Sequence, residues 1–313
     1  MSLFGFIWRQ PARRILAAIG IALQALAAHA QNGSTPPIWE VRSPTNTVYL
    51  FGTVHVGARK LYPLSNVVEQ AYASSRALAL EADPTDPAAA LAAGQRSTYA
   101  PPDKLANHIS PQLMGELRKA LPTIGLPVEY AEAMRPELLA MTLAMLEVGR
   151  LGYDPNLGLD IHLARRAKQD GKRIIELESI AGQLALLASF SPELQEAMLR
   201  SAVEDVMSGS LSADVRDLVA AWRTGDDKRL WELVNKEMEE LPAPQAQELR
   251  EQLYDSRNRE MTEKIVLMLA GNEPTFVAVG VGHLLGSAGI VELLRKKGAT
   301  EIPMDAKLMA SPD

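Results

Sequence analysis

The chain has 313 residues, 47% of them apolar, and a formal net charge of −6 at pH 7. It is long enough for one large domain or two ordinary ones with a sizeable core. The acidic balance gives no sign of a nucleic-acid-binding surface, and the absence of cysteine excludes disulfides, thiolate metal sites and cysteine nucleophiles.

The N-terminus has the pattern of a secretory signal peptide. Arg9, Arg13 and Arg14 precede an uncharged apolar run over residues 15–28, and a small-x-small cleavage site ends at Ala30. This run of about 14 residues is shorter than the ~20 that a membrane-spanning helix needs. We therefore expect a periplasmic or secreted mature protein without a membrane span.

A hairpin and a parallel βαβ unit are predicted to open the mature chain. Residues 38–41 and 47–51 favour strands, and a turn cluster over 43–46 separates them. A helix then runs to Ser75, and the continuous apolar run Ala77–Leu80 is typical of a buried parallel strand.

Helical periodicity covers most of the middle of the chain. Residues 85–155 and 180–270 are interpreted as helical insertions over the βα core, so that residues 31–313 form one domain. Pro136 is expected to start one of these helices. Its core-facing stripe is predicted to be Leu138, Met141, Met145 and Val148.

Three more strands are predicted in the second half of the chain. They are Lys172–Glu178, Thr275–Val279 and a short strand over 300–304, which a helix over 286–297 precedes. The elements together indicate an α/β fold with a mixed, mostly parallel sheet, an N-terminal hairpin, flanking helices and a large helical insertion.

Two of these strands end in the same motif, Gly-x-x-His. Gly52-Thr53-Val54-His55 follows the second strand, and Gly280-Val281-Gly282-His283 follows the last buried one. Glycine lets a backbone approach closely, and ligands gather at the carboxyl ends of parallel strands. A single strand-end histidine is more often structural, but folding does not require imidazole twice in this context. We predict that His55 and His283 meet in one site.

Carboxylates end two further strands. Glu81 follows the third strand with Asp83 two residues later, and Glu176 and Glu178 end the fourth. If the strands are parallel, these side chains converge on the edge that carries the histidines. Two histidines and a carboxylate with open positions are a common catalytic set for a divalent metal, which acidifies a bound water.

Arg257 and Asn258 are predicted to share a helical face with the apolar Met261. An arginine that faces a core needs an anion, because an unpaired buried charge is very costly. The guanidinium either snorkels at the sheet rim or points at a substrate carbonyl, at an oxyanion or at Glu81. We count both residues as candidate catalytic residues.

Other polar and aromatic residues receive structural interpretations. Asp160 is expected to be an N-cap or first-turn acid, His162 to have a structural role unless it supports a site residue, and His108 to lie at the surface. The sequence lacks the Gly-x-Ser-x-Gly, P-loop, dinucleotide and His-Glu-x-x-His motifs. The expected packing residues are Trp39, Trp222 and Trp231.

A set of motifs in fixed order resembles the TraB/GumN family over about residues 37–305. The set comprises Gly52-x-x-His55, Glu81, Gly158-Leu159-Asp160-Ile161-His162, Leu177-Glu178, Arg257-Asn258 and Gly280-x-x-His283-Leu284 with Gly286. That family is related to the Tiki metalloproteases and more distantly to the erythromycin-esterase and ChaN haem-iron-binding fold. The Tiki resemblance implies a divalent-metal peptidase in which His55, His283 and Glu81 form the site and Arg257 occupies the position of the arginine motif.

The expected function is therefore an extracytoplasmic, divalent-metal-dependent hydrolase, a Tiki-like peptidase that acts on a peptide or protein. His55 and His283 are the expected metal ligands, Glu81 a ligand or general base, and Arg257 a stabiliser of the oxyanion. Manganese, cobalt and zinc are the candidate metals. Two alternatives stay open: a metal or haem-iron binding protein without turnover, and a structural or partner-regulating protein with a vestigial site.

Overall fold

The structure is a computed structural model that describes residues 35–89 and 98–304, so the expected signal peptide lies outside the described residues. Its strands are β1 Ile38–Arg42, β2 Thr47–Thr53, β3 Ala77–Leu80, β4 Arg173–Glu176, β5 Thr275–Gly280 and β6 Thr300–Pro303. They form one sheet in the order β4-β3-β5-β2-β1-β6.

The sheet is mixed and mostly parallel. β4, β3, β5 and β2 run parallel to one another, whereas β1 is antiparallel to β2 and to β6. The predicted fold class is confirmed, including the N-terminal hairpin. The two strands of the predicted βαβ unit are parallel, and β5 lies between them. Every residue of β5 is buried, so it needs a hydrogen-bonded neighbour on each side.

Helices fill the intervals between the strands. Those whose bounds lie in the described residues are α1 Asn66–Ser74, α2 Pro111–Ile124, α3 Val128–Ala133, α4 Pro136–Arg150, α5 Leu159–Gln169, α6 Ile180–Ser189, α7 Pro192–Ser208, α8 Leu211–Thr224, α9 Asp227–Glu240, α10 Ala243–Leu249, α11 Ser256–Leu269, α12 Val281–Leu284 and α13 Ile290–Lys296. Single 3₁₀ turns occur at Arg59–Leu61, Leu105–Asn107 and Pro155–Leu157. A π-helical turn, Arg250–Asp255, joins α10 to α11.

The helix boundaries in the second half follow from caps that are visible in the sequence. Ser191 accepts a hydrogen bond from the Leu194 N–H at 3.2 Å and precedes Pro192, the first residue of α7. Gly209 and Gly225 end α7 and α8 with φ of 73° and 64°, a conformation that glycine adopts without strain. These three residues therefore set the breaks between α6, α7, α8 and α9.

The sheet and its flanking helices share one apolar core, and α2, α4 and α7 enclose a second. The predicted stripe of α4 was wrong for two residues, because Met141 and Met145 are 46% and 37% exposed while Leu139 and Leu143 are buried. Apolar side chains occur on all faces of this helix, so their spacing does not single out one face. Among the described helices, none has the length and apolarity that crossing a membrane demands.

Candidate functional site

The two Gly-x-x-His turns lie side by side, because β2 and β5 are parallel neighbours. Thr53 of the first turn pairs with Gly280 of the second. A Cβ on Gly52 would lie 2.9 Å from Val281 Cγ2, which is closer than packed atoms approach, so glycine is needed for the two turns to touch. Both turns therefore end at the same point of the sheet edge.

Three side chains surround the space above Gly280. A Cβ built on Gly280 would lie 3.2 Å from Glu81 Oε1, 3.5 Å from His55 Nε2 and 3.6 Å from His283 Cδ2. Glu81 Oε1 also lies 3.8 Å from His283 Nε2. The structure thus brings together His55, His283 and Glu81, and the missing side chain of Gly280 leaves a methyl-sized space between them.

His55 is oriented by an acid from a different element. Its Nδ1 lies 2.8 Å from Asp160 Oδ2, and the Thr53 hydroxyl donates to Asp160 Oδ1 at 2.6 Å. A Cβ on Gly158 would lie 2.4 Å from the His55 carbonyl oxygen, so glycine at the start of α5 allows this approach. The Asp160 carboxylate raises the pKa of His55 to about 9, although 67% of the side chain is exposed.

His283 is buried and has a neutral partner. Its Nδ1 lies 2.6 Å from Asn258 Oδ1, while Asn258 Nδ2 donates to the Ala288 carbonyl at 2.9 Å. The second bond fixes the amide so that Oδ1 accepts, and Nδ1 of His283 must therefore carry the proton. Burial lowers the pKa of His283 to about 4, so the ring is neutral and its Nε2 lone pair faces Glu81.

Glu81 is an ionised carboxylate between the two rings. Its Oε1 accepts the Gly280 N–H at 2.7 Å, and its Oε2 accepts from Arg257 Nη2 at 2.8 Å and from Gln183 Nε2 at 3.2 Å. Burial by itself raises the pKa of Glu81, but the imidazoles, the guanidinium and the Gly280 N–H outweigh it and lower the pKa to about 2.

Arg257 points at Glu81, which is one of the alternatives left open by the sequence. Its Nε and Nη2 donate to the two oxygens of Glu178 at 2.8 and 2.6 Å, and Nη2 also donates to Glu81. Its Nη1 donates to the Leu253 carbonyl at 3.0 Å. The largely buried guanidinium is thus shared by two largely buried carboxylates, as its charge requires. Met261 on the same face is fully buried.

Two of the four strand-end carboxylates do not reach the site. Asp83 pairs with Lys168 at 2.8 Å, and Glu176 Oε1 accepts the Asp83 N–H at 2.8 Å. His162 packs against the Tyr62 ring with centroids 4.4 Å apart, which is the structural role expected for it.

Four further residues occupy the positions that the sequence predicted. His108 is exposed, stacks on Tyr99 at 4.2 Å and pairs with Asp103 at 2.9 Å. Trp39 and Trp222 are buried, and the Trp222 indole donates to the Gly52 carbonyl at 2.7 Å. Trp231 is partly buried against the core.

The sequence interpretation missed what Asp160, Glu178 and Tyr254 contribute to the site. Asp160 does lie in the first turn of α5, as expected, but its carboxylate also holds His55. The Tyr254 ring lies 5.4 Å from that of His283. Two glycines in the sequence could have indicated these contacts. Gly158 lies against the His55 backbone, and a Cβ on Gly282 would lie 2.9 Å from the Tyr254 ring, so each position leaves room for its neighbour.

The donor set has the chemistry of a divalent-metal site. In each histidine a polar partner holds Nδ1, which leaves Nε2 as the nitrogen directed to the shared space, and oriented imidazoles with a carboxylate are typical metal ligands. Within residues 35–89 and 98–304, no three histidine, aspartate or glutamate side chains are already arranged to hold an ion. The two imidazole nitrogens and the carboxylate are suitable metal ligands and are directed to the same space. To bind a metal, they must move closer together around the ion.

Comparison with known proteins places the chain in a family. The chain matches the model of the TraB/PrgY/gumN family over residues 37–301. It belongs to that family. No solved structure matches the chain.

Proteins similar to this chain include uncharacterised proteins and metalloproteases. The uncharacterised protein YbaP of Escherichia coli K12 is 26% identical over 273 residues, covering 86% of this chain and 96% of that protein. An uncharacterised protein of Treponema pallidum is 23% identical over 289 residues, covering 88% of this chain and 84% of its own. Metalloprotease TIKI2 of Danio rerio is 23% identical over 312 residues, covering 83% of this chain and 59% of the metalloprotease.

Proposed function

We propose that this TraB/PrgY/gumN family member is a divalent-metal-dependent hydrolase, specifically a peptidase that acts outside the cytoplasm. The observation that carries the proposal is the meeting of two oriented imidazoles and an ionised carboxylate around the space above Gly280. The distant similarity to metalloprotease TIKI2 supports the same chemistry.

His55 Nε2, His283 Nε2 and Glu81 would hold the metal. A metal bound there acidifies water and polarises a carbonyl group. The low pKa of Glu81, about 2, suits a ligand better than a general base, which works best when its pKa lies near the operating pH. We therefore assign Glu81 as a ligand.

The surrounding residues hold the three donors in place. Asp160 and Asn258 orient the two imidazoles through their Nδ1 atoms, and Arg257 orients Glu81 through its Oε2. A guanidinium has five N–H groups, and the bonds from Arg257 to Glu178, Glu81 and Leu253 engage all but one on Nη1. Since that N–H has no partner among the described residues, we propose that it donates to the oxygen of the scissile carbonyl.

A reconstitution experiment tests the proposal. The purified chain is stripped with EDTA and reloaded with manganese, cobalt or zinc, after which metal content and cleavage of a peptide mixture are measured. Wild type and the control His108→Ala should bind about one metal ion per chain and cleave peptides, whereas His55→Ala and Glu81→Gln should lose both properties. Equal metal content and equal cleavage in all four proteins would reject the site.

Two other outcomes decide against the peptidase. Tight metal binding that depends on His55 without any cleavage would make the chain a metal-binding protein. A haem absorption band that is lost in His55→Ala would make it a haem-iron binder. The proposed location has its own test: secreted protein should begin at Gln31, and an intact N-terminus in the cytoplasmic fraction would contradict it.

A further inference from the structure

The π-helical turn joins two helices that contact different parts of the molecule. In it the Ser256 N–H donates to the Glu251 carbonyl, so this turn holds one residue more than an α-helical turn. Because an α-helix turns by about 100° per residue, the extra residue rotates α11 by that amount relative to α10. Leu249 of α10 packs in an apolar cluster, while Arg257 and Asn258 of α11 reach the candidate site.

Tyr254 lies in this turn and contacts both the apolar cluster and His283. The cluster, which we call the third apolar cluster, consists of buried side chains with Tyr254 packed against them; its buried members are Phe190, Leu194, Met238 and Leu249. The ring centroid of Tyr254 lies 5.4 Å from that of His283, with the two planes 44° apart. Aromatic rings attract one another at centroid distances of about 4.5–7 Å. Tyr254 therefore links the third apolar cluster to the second Gly-x-x-His turn.

The backbone before His283 leaves room for the Tyr254 ring. A Cβ built on Gly282 would lie 2.9 Å from Tyr254 Cε1 and 3.2 Å from Val234 Cγ1. Carbon atoms in contact are usually about 3.5–4.0 Å apart. Glycine at this position thus lets the tyrosine ring lie directly against the residue that precedes the histidine.

The imidazole of His283 needs a packing contact to keep its plane. Rotation about the Cβ–Cγ bond of a histidine has only broad preferences. The hydrogen bond from Nδ1 to Asn258 restrains one nitrogen, but such a bond tolerates a range of angles and hence of ring tilts. His55 is likewise held at Nδ1, and no ring-to-ring contact of His55 occurs within residues 35–89 and 98–304.

We propose that Tyr254 is a positioning residue of the metal site, whose ring holds the plane of the His283 imidazole so that Nε2 points at the space above Gly280. The assignment rests on the proposed function, since it concerns a ligand of the same site. Tyr254 acts through His283 and takes no part in the chemistry. Groups that orient a metal-ligating histidine typically change metal affinity about 10–100-fold when they are removed.

The first readout is the Nδ1 proton of His283 in the metal-free protein in EDTA. Because the ring is buried and Nδ1 donates to Asn258, this proton should exchange slowly enough with water to be observed by proton NMR. Asn258→Ala should lose the signal and so identifies it. Tyr254→Phe retains the ring and should retain the signal, whereas Tyr254→Leu should lose it.

The second readout is cobalt binding, followed by the visible absorption of the bound ion, which reports the geometry of its ligands. Tyr254→Leu should bind cobalt about 10–100-fold more weakly than wild type and should have a changed spectrum. Tyr254→Phe should match wild type in both respects. An equal loss in Tyr254→Phe and Tyr254→Leu would mean that the hydroxyl group acts rather than the ring, and would overturn the proposal.

Two further variants separate positioning from a general loss of stability. Leu249→Ala shortens a buried side chain of the same cluster, so it should lower the urea midpoint but keep the His283 proton signal and the cobalt spectrum. Gly282→Ala keeps the tyrosine but forces a Cβ against its ring, so it should reproduce the losses of Tyr254→Leu. Loss of the proton signal in Leu249→Ala would assign the effect to loosened packing and overturn the positioning role.

The outcomes distinguish this role from the proposed function. A proton signal that is absent in wild type, or unchanged in Tyr254→Leu, would overturn the positioning role even if the wild type binds metal and cleaves peptides. Unchanged affinity and spectrum in Tyr254→Leu, measured against a wild type that binds cobalt, would do the same. A signal that depends on the Tyr254 ring in a protein that binds no metal would support the positioning of His283 and reject the metal-dependent hydrolase.

Discussion

The two Gly-x-x-His turns have the same sequence pattern but hold their histidines in opposite states. His55 is largely exposed, its partner is the anion Asp160, and its pKa is raised to about 9. His283 is buried, its partner is the neutral Asn258, and its pKa is lowered to about 4. The difference comes from the elements that pack behind each turn, α5 behind the first and α11 behind the second.

This comparison teaches that a shared motif fixes where an imidazole is placed but not which proton it carries. The neutral ring of His283 offers a lone pair at Nε2 without competition from a proton. The cationic ring of His55 must release its proton before it can act as a ligand, so metal binding there is coupled to proton release. The two turns therefore contribute unequally to one site.

The largest expected effect comes from removing the cation that holds the carboxylate between the two turns. Arg257→Ala leaves Glu81 and Glu178 buried without a counter-charge, and breaking a buried ion pair in this way costs about 3–5 kcal/mol. Urea denaturation of the metal-free protein measures the loss. Arg259→Ala, an exposed change on the same helix, should stay within about 0.5 kcal/mol of wild type. Similar small losses in both variants would show that Arg257 is not a structural anchor of the site.

The glycines of the two turns should respond differently to the same substitution. Gly52→Ala forces a Cβ to within 2.9 Å of Val281 Cγ2, and overpacking of this kind destabilises a core by about 1–3 kcal/mol. Gly280→Ala puts its methyl between Glu81 and His55, so it should cost little stability and should reduce metal affinity more than tenfold. Denaturation and metal titration of both variants measure the two effects. Unimpaired metal binding by Gly280→Ala would show that the space is not the metal position.

Giving one histidine the kind of partner that the other has should bring their pKa values closer together. Asp160→Asn removes the anion beside His55 and should lower its pKa from about 9 towards the ordinary value, whereas Asn258→Asp places an anion beside His283 and should raise its pKa. Histidine ring signals followed by NMR through a pH titration in EDTA report each pKa directly, and His108 provides an internal reference. A pKa of His55 that is unmoved by Asp160→Asn would mean that other charges control it.

The smallest effect is a pH dependence of stability with a different sign for each turn. The pKa of His283 is lowered to about 4, so below about pH 6.5 the unfolded chain binds a proton that the folded chain does not, and stability falls with falling pH. The pKa of His55 is raised to about 9, so above about pH 6.5 the folded chain keeps a proton that the unfolded chain loses, and stability falls with rising pH.

Urea denaturation in EDTA at about pH 5, 7 and 9 measures both limbs of this dependence. The alkaline limb should be the smaller, because water screens the exposed pair of His55 and Asp160. Asp160→Asn should flatten the alkaline limb and leave the acid limb in place. An alkaline limb of unchanged slope in this variant would assign it to other groups.

Prediction from the sequence succeeded where a local pattern has one tertiary outcome. The fully apolar runs 77–80 and 276–279 were predicted to be buried parallel strands, and both are, with their ends at one edge of the sheet. Prediction failed where one sequence pattern is compatible with several arrangements. The helix α4 has apolar residues on all faces, and Met141 and Met145, which were predicted to face the core, face solvent. The chain order also gave no reason to place β5 between β2 and β3.

The sequence by itself determined the α/β class and the positions of His55, His283 and Glu81 at strand ends. It also determined the core-facing side of the helix that carries Arg257 and Asn258. These features depend on hydrophobic periodicity and strand length, which are local properties of the chain. Only the tertiary structure decided that Asp160 stands behind one imidazole and an amide behind the other, and that Arg257 is shared between Glu81 and Glu178. Those pairings join residues far apart along the chain, and it is the distance between charges and their burial, rather than their order, that sets the proton state of each ring.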